Sequence, residues 1–97
     1  MQIKDIKDGQ QKIELTAEVI DKSEERNGIS KVTDEAFRVA NATIKDDSGT
    51  ILLTLWNEQI EQVRVGDKVQ ISNGYVRSFR DVLQLNSGKY GSLSVLV

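Results

Sequence analysis

Hydrophobic positions in this chain recur mainly with a period of two. From Lys12 to Lys22, the residues Ile13, Leu15, Ala17 and Val19 alternate with Glu14, Thr16, Glu18 and Ile20. Alternation over that length predicts a strand with one face on a core. Residues 23–35 are polar, with Asn27-Gly28 at their centre. Asn-Gly adopts positive φ readily, so a long hairpin loop turning there is expected. A second strand is expected over Phe37 to Lys45, ended by Asp46-Asp47-Ser48-Gly49, a tight-turn composition. The third, Thr50 to Trp56, places Ile51, Leu53 and Leu55 on one face. Leu52, Thr54 and Trp56 fall on the other. That second face is also largely apolar, so it too has something to cover.

The period then changes. Glu58 to Val63 reads as a helix of two turns, with Asn57 as its cap and Ile60 and Val63 as its buried stripe. So short a segment is a plug or connector. Val65-Gly66-Asp67 turns into a fourth strand, Lys68 to Phe79, in which Asn73-Gly74 marks a bulge or bend. Arg80-Asp81 turns the chain into a fifth strand, Val82 to Asn86, and Ser92 to Val97 alternates weakly enough for a last edge strand. Five short strands with one helix between the third and fourth is the element order of the OB-fold, a five-stranded, partly open Greek-key barrel. An SH3-like barrel is the main rival but has no helix at that place. A generic meander under a helix is the other. The 97 residues make one domain, residues 1–97, with the core barrel over about 12–90.

Composition narrows the chemistry by exclusion. The chain has no Cys and no His. Disulfides, thiolate zinc sites, cysteine nucleophiles and the commonest general base are therefore absent. No EF-hand pattern offers an all-oxygen metal site. No cofactor and no enzymatic activity are expected. No apolar run nears the roughly 20 residues that span a bilayer, and MQIKDIKDG lacks an apolar signal segment. A cytoplasmic protein without a membrane partner or small-molecule substrate is expected. The net charge of −2 is not that of a bulk nucleic-acid binder. Its distribution is uneven: residues 1–59 carry 8 basic and 12 acidic groups, and residues 60–97 carry 5 and 3. Any positive field belongs to the second part.

The aromatic residues are Phe37, Trp56, Tyr75, Phe79 and Tyr90. Trp56 lies on the strand face opposite Ile51, Leu53 and Leu55. Tyr75 and Phe79 share one strand face with Arg77 between them. Arg80, Asn86 and Lys89 are near in sequence. Flat rings that stack on bases, with cations that follow phosphates, are what single-stranded nucleic acid needs. The same rings also suit a core or a partly buried edge, and Arg77 and Arg80 also suit a solvated surface. Arg26 and Lys31 in the long loop have Glu24 and Glu25 for neighbours and read as solvated. Phe37 and Tyr90 read as packing residues. Asp46-Asp47 reads as a turn former before Ser48-Gly49 and not as a catalytic pair.

The run DDSGTILLTLWNEQIEQVRVGDKVQISNGYVRSFRDVLQLNSGK resembles the single-OB single-stranded DNA-binding proteins of archaea and their eukaryotic relatives in DNA-damage sensing. It is similar also to the OB modules of archaeal replication protein A. The resemblance covers about residues 12–90 and is strongest over 46–89. It implies that Trp56, Tyr75 and Phe79 stack on bases. It also implies basic and polar support from Arg77, Arg80, Asn86 and Lys89, with Arg26 and Lys31 in the first loop. Several members continue into a Gly/Arg-rich or acidic tail that recruits partners, whereas this sequence reaches Val97 straight after the expected barrel. The function implied is sequence-tolerant single-stranded DNA binding in replication and repair, nucleoid-associated, with replication and repair proteins as partners. Two alternatives stand beside it. One is a protein-interaction subunit of a replication-protein-A-like assembly, which the negative net charge favours. The other is a single-stranded RNA binder, since stacking does not read the 2′-hydroxyl.

Overall fold

The computed structural model describes residues 2–87 and 91–96. Among them, seven strands form one closed sheet: β1 (Ile13–Lys22), β2 (Arg26–Ile29), β3 (Ala36–Asp46), β4 (Gly49–Trp56), β5 (Lys68–Phe79), β6 (Val82–Asn86) and β7 (Ser92–Leu96). One helical turn, α1 (Gln59–Gln62), connects β4 to β5. The neighbour order is β1-β3-β4-β6-β5, and β1 also pairs with β5, which closes the barrel. The β4–β6 pairing is parallel and the others are antiparallel. That topology, with the helix before β5, is the OB barrel expected from the element order.

Alternation does the sorting. In β1 the residues Ile13, Leu15, Ala17 and Val19 are buried while Glu14, Thr16 and Glu18 are exposed. Ala40, Ala42 and Ile44 from β3, and Ile51, Leu53 and Leu55 from β4, meet them in the core. Ile60 and Val63 are buried, so the short helix plugs one end of the barrel, as its stripe suggests. Lys22 Nζ donates to the Ile60 and Val63 carbonyls and so caps the end of that turn. A 3₁₀ turn over Ile3–Asp5 brings Ile3 and Ile6 into the core. No periodicity in the sequence assigns this segment a role.

Three local expectations are corrected. Asn27-Gly28 does not turn the chain: it lies within β2, where Asn27 pairs with Arg38 and Gly28 with Phe37. The turn falls later, over residues 30–35. The Phe37 ring lies over Gly28: a Cβ there would stand 2.5 Å from Phe37 Cζ, so a side chain at this position would have to push the ring aside. Asn57 does not cap α1 with its side chain. Its Oδ1 accepts the Arg38 amide at 2.9 Å and its own amide donates to the Arg38 carbonyl, tying the helix entrance to β3. The α-helical residues are also fewer than the expected Glu58 to Val63.

Other expectations hold. The β1–β5 register slips between Ile13/Gly74 and Leu15/Ile71, with Asn73 at φ +54°, so the bend falls at Asn73-Gly74. In the β3–β4 turn, Asp46 Oδ1 accepts from the Ser48 and Gly49 amides and the Ser48 hydroxyl, and Oδ2 accepts the Ile3 amide at 2.8 Å. Burial acts to raise the Asp46 pKa, but these hydrogen bonds from Ser48, Ile3 and Gly49 outweigh it and hold it at about 2. The carboxylate is a structural clasp. Val82 follows Phe79 through Arg80 and Asp81, both at positive φ (+53° and +65°), which makes a two-residue I′ hairpin that Asp tolerates and Arg does not favour.

Candidate nucleic-acid interface

The outward face of β3, β4, β6 and the second half of β5 carries the site. Strand register arranges it in rows. Val39 lies opposite Trp56. Asn41, Thr54, Asn86 and Tyr75 form the next row across all four strands. Leu52, Gln84 and Arg77 form the third, and Val82 and Phe79 the fourth. Neighbours within a row are about 4.8 Å apart and successive rows about 6.7 Å. The three rings named from the sequence thus share one surface. A groove of about 360 Å³ runs among them, floored by Asn41, Thr54, Gln84 and Asn86. A second hollow of about 480 Å³ opens where Trp56 and Tyr75 face α1 and Ser87.

Trp56 is 39% exposed and Phe79 61%, and Tyr75 is half-buried. Rings this exposed on a barrel wall add little to the core and leave part of each face open to solvent. Arg77 lies over Tyr75, its guanidinium carbon 5.5 Å from the ring centroid, and Arg80 lies over Phe79 at 5.3 Å. Each arginine is thereby held beside a ring by a cation–π contact. Arg26 reaches the groove from β2, its Nη2 donating to Asn41 Oδ1 at 2.7 Å. None of these three is in an ion pair among the described residues. Lys31 sits on the exposed turn beyond β2 and does not line the groove. Lys89 and Tyr90 lie outside the described residues.

Asn86 is buried. Its Oδ1 accepts the Trp56 indole Nε1–H at 3.3 Å. Phe37, expected to pack, lies against Trp56 with centroids 5.5 Å apart and planes tilted by 58°. Arg38, which no sequence signal singles out, is clasped by a carboxylate of α1 and one from the connection between β1 and β2. It donates to both oxygens of Glu61 and to Glu25 Oε1, the last at 3.3 Å. The Glu61 hydrogen bond holds the Arg38 pKa up, and Arg38 holds the Glu61 pKa down. The Arg38 charge is therefore matched within the protein. Asn41, Thr54 and Gln84 also line the groove, and in the sequence only their outward parity on β3, β4 and β6 distinguishes them. Thr54 Oγ1 is buried in the middle of its row without a hydrogen-bond partner among the described residues.

No group of three or more His, Cys, Asp or Glu among the described residues is arranged to hold a metal ion. No helix among them is long and apolar enough to cross a membrane.

Comparison with known proteins bears on the fold and the family. The chain is similar to the "Single-stranded DNA binding protein Ssb" of Saccharolobus solfataricus, 28% identical over 83 residues, covering 86% of this chain and 55% of that protein. It thus spans about half the length of that relative. Among solved structures it is similar to a replication factor A related protein from Methanobacterium thermoautotrophicum, with TM-score 0.80, 23% identity, and 99% and 89% of the two chains covered. The second OB-fold domain of replication protein A from Methanococcus maripaludis gives TM-score 0.80 at 24% identity, covering 99% and 93%. These two show the fold. The family model for single-stranded DNA binding protein Ssb-like, OB fold, matches residues 6–95, and the chain belongs to that family.

Proposed function

We propose that this chain is a sequence-tolerant single-stranded DNA-binding module of replication and repair. One observation carries the reading: Trp56, Tyr75 and Phe79 share one open face with Arg26, Arg77 and Arg80, arginines outside any ion pair among the described residues. Bases stack on the rings at about 1–3 kcal/mol each, and phosphates follow the arginines. Family membership and the printed function of the Saccharolobus relative support it. Gln84 completes the floor on which bases rest, Asn86 supports the Trp56 ring from within that floor, and Lys89 adds a further cation. Lys31 serves phosphates beyond the groove. Binding is the whole of the proposed activity, so the module acts where single strands are exposed, at the nucleoid, alongside replication and repair proteins.

The test is a titration of oligo-dT followed by Trp56 fluorescence, since Trp56 is the only Trp. Quenching at low salt that weakens as salt rises supports the reading. No quenching of the folded protein by DNA at low salt overturns it. Equal quenching by oligo-U at equal affinity transfers the proposal to single strands of either sugar.

A further inference from the structure

We propose that Asn86 and Phe37 are positioning residues that hold the Trp56 indole as a fixed platform, and that Asn86 removes the indole N–H from base recognition. The inference rests on the binding reading above and concerns how its central ring works.

Trp56 ends β4, where the chain leaves the sheet for α1, and a ring at such a place has rotamer freedom to lose on binding. Two contacts remove that freedom in advance. On one side Phe37 lies against the indole at 5.5 Å and 58°. Phe37 is itself pinned from below, because it covers Gly28 so closely that a Cβ would meet its ring at 2.5 Å. On the other side Asn86 Oδ1 accepts the indole N–H. Asn86 is 7% exposed and is fixed through its backbone, paired with both Thr54 and Tyr75. Gly74 lets β5 approach it: a Cβ there would be 3.0 Å from the Asn86 carbonyl oxygen. The backbone amide of Trp56 is also taken, donating to Gln59 Oε1 at 3.0 Å.

Two consequences follow. A ring that is already fixed loses little entropy when a base lands on it. An indole whose N–H is occupied offers only its π face, and a π face is common to every base. Sequence tolerance at Trp56 is thus built by Asn86, which occupies the one group of the ring able to discriminate.

The experiment uses the single indole Nε1–H resonance of the protein, which the single Trp makes unambiguous. Asn86→Leu should move that resonance toward its free-solvent position, lower its heteronuclear NOE, and weaken oligo-dT binding about fivefold, the size of one ordinary hydrogen bond. In a Trp56→Phe background, where the ring has no N–H, Asn86→Leu should cost no further affinity. Gly28→Ala, which displaces Phe37 without touching β6, should lower the same NOE and gives a second reading if Asn86→Leu does not fold. An unchanged indole resonance and NOE in folded Asn86→Leu overturns the proposal. So does an affinity loss from Asn86→Leu that persists undiminished in the Trp56→Phe background, since Asn86 would then touch the nucleic acid directly. Failure of the wild-type protein to bind any oligonucleotide sinks the binding reading alone, and the indole resonance still decides the positioning.

Discussion

Salt sensitivity is the sharpest consequence of the charge arrangement. Three arginines stand on the open face without an ion pair among the described residues: Arg26, Arg77 and Arg80. Each phosphate they neutralise releases counterions, which for single strands gives a slope of about −0.7 in log K against log salt. Three contacts give about −2, so raising NaCl from about 50 mM to about 200 mM should weaken binding about 20-fold. Contacts from Lys89 and Lys31 would each steepen the slope by about 0.7, to about −3.5 with both. Fluorescence titrations of oligo-dT at four salt concentrations measure it. Arg77→Ala and Arg80→Ala should each flatten the slope by about 0.7. Arg38→Ala is the control: its charge is already held by Glu61 and Glu25, so the slope should stay as it is. A slope shallower than about −1, or one that Arg38→Ala flattens as much as Arg77→Ala, refutes the assignment of phosphate contacts.

Trp56→Ala should cost about 1–3 kcal/mol of oligonucleotide binding, similar for oligo-dT and oligo-dC, read by filter binding since the fluorophore is lost. Phe79→Ala, at a 61% exposed ring, should weaken binding by about the same amount while leaving the urea midpoint nearly unchanged. Asp46 has its pKa lowered from 3.8 to about 2, so its contribution is present above pH 4 and is lost as pH falls from 4 toward 2. Asp46→Asn should therefore destabilise the protein by about 1–2 kcal/mol at pH 7, and the gap to the parent protein should close on acidification below pH 4. Gly74→Ala should lower stability by about 1–3 kcal/mol in urea unfolding, because its Cβ would stand 2.9 Å from Ile71 Cγ2 and 3.0 Å from the Asn86 oxygen; an unchanged midpoint would mean that β5 and β6 are not packed that closely.

What the sequence made legible was what a period of two encodes. The inward set Ile13, Leu15, Ala17 and Val19, the two faces of β4, and the common side of Tyr75, Arg77 and Phe79 all follow from parity. Closure of the barrel is also implicit in the element order, because a helix before the fourth long strand carries the chain across to pair with β1. What stayed hidden depends on contacts distant in sequence. Asn27-Gly28 has the composition of a turn, yet the demand on Gly28 comes from Phe37 across the strand pair. Asn57 has the composition of a cap, yet its carboxamide serves the Arg38 amide, 19 residues away. Ile3 and Ile6 lie in a segment with no strand period, and only the open end of the barrel gives them a place.

The charge balance resolves in the same way. A polypeptide of net charge −2 is, by counting alone, a poor ligand for a polyanion and a better one for a protein partner. Counting treats every charge as available. Lys22 is engaged by the carbonyls that end α1, and Arg38 by Glu61 and Glu25. Asp46 is engaged by the amides of its own turn and of Ile3. With those groups occupied, the ring-bearing face retains Arg26, Arg77 and Arg80, each placed beside an aromatic or an amide that fixes it. Glu61 is held at the helix by Arg38, and Glu58 lines the hollow beside Trp56 and Tyr75, at the rim of that face. On the proposed function, a single strand laid over the rings would meet positive charge locally while the molecule as a whole repels it. Such a field favours a partner that can reach past the acidic rim and stack, and disfavours duplexes, whose bases are not available to Trp56, Tyr75 and Phe79.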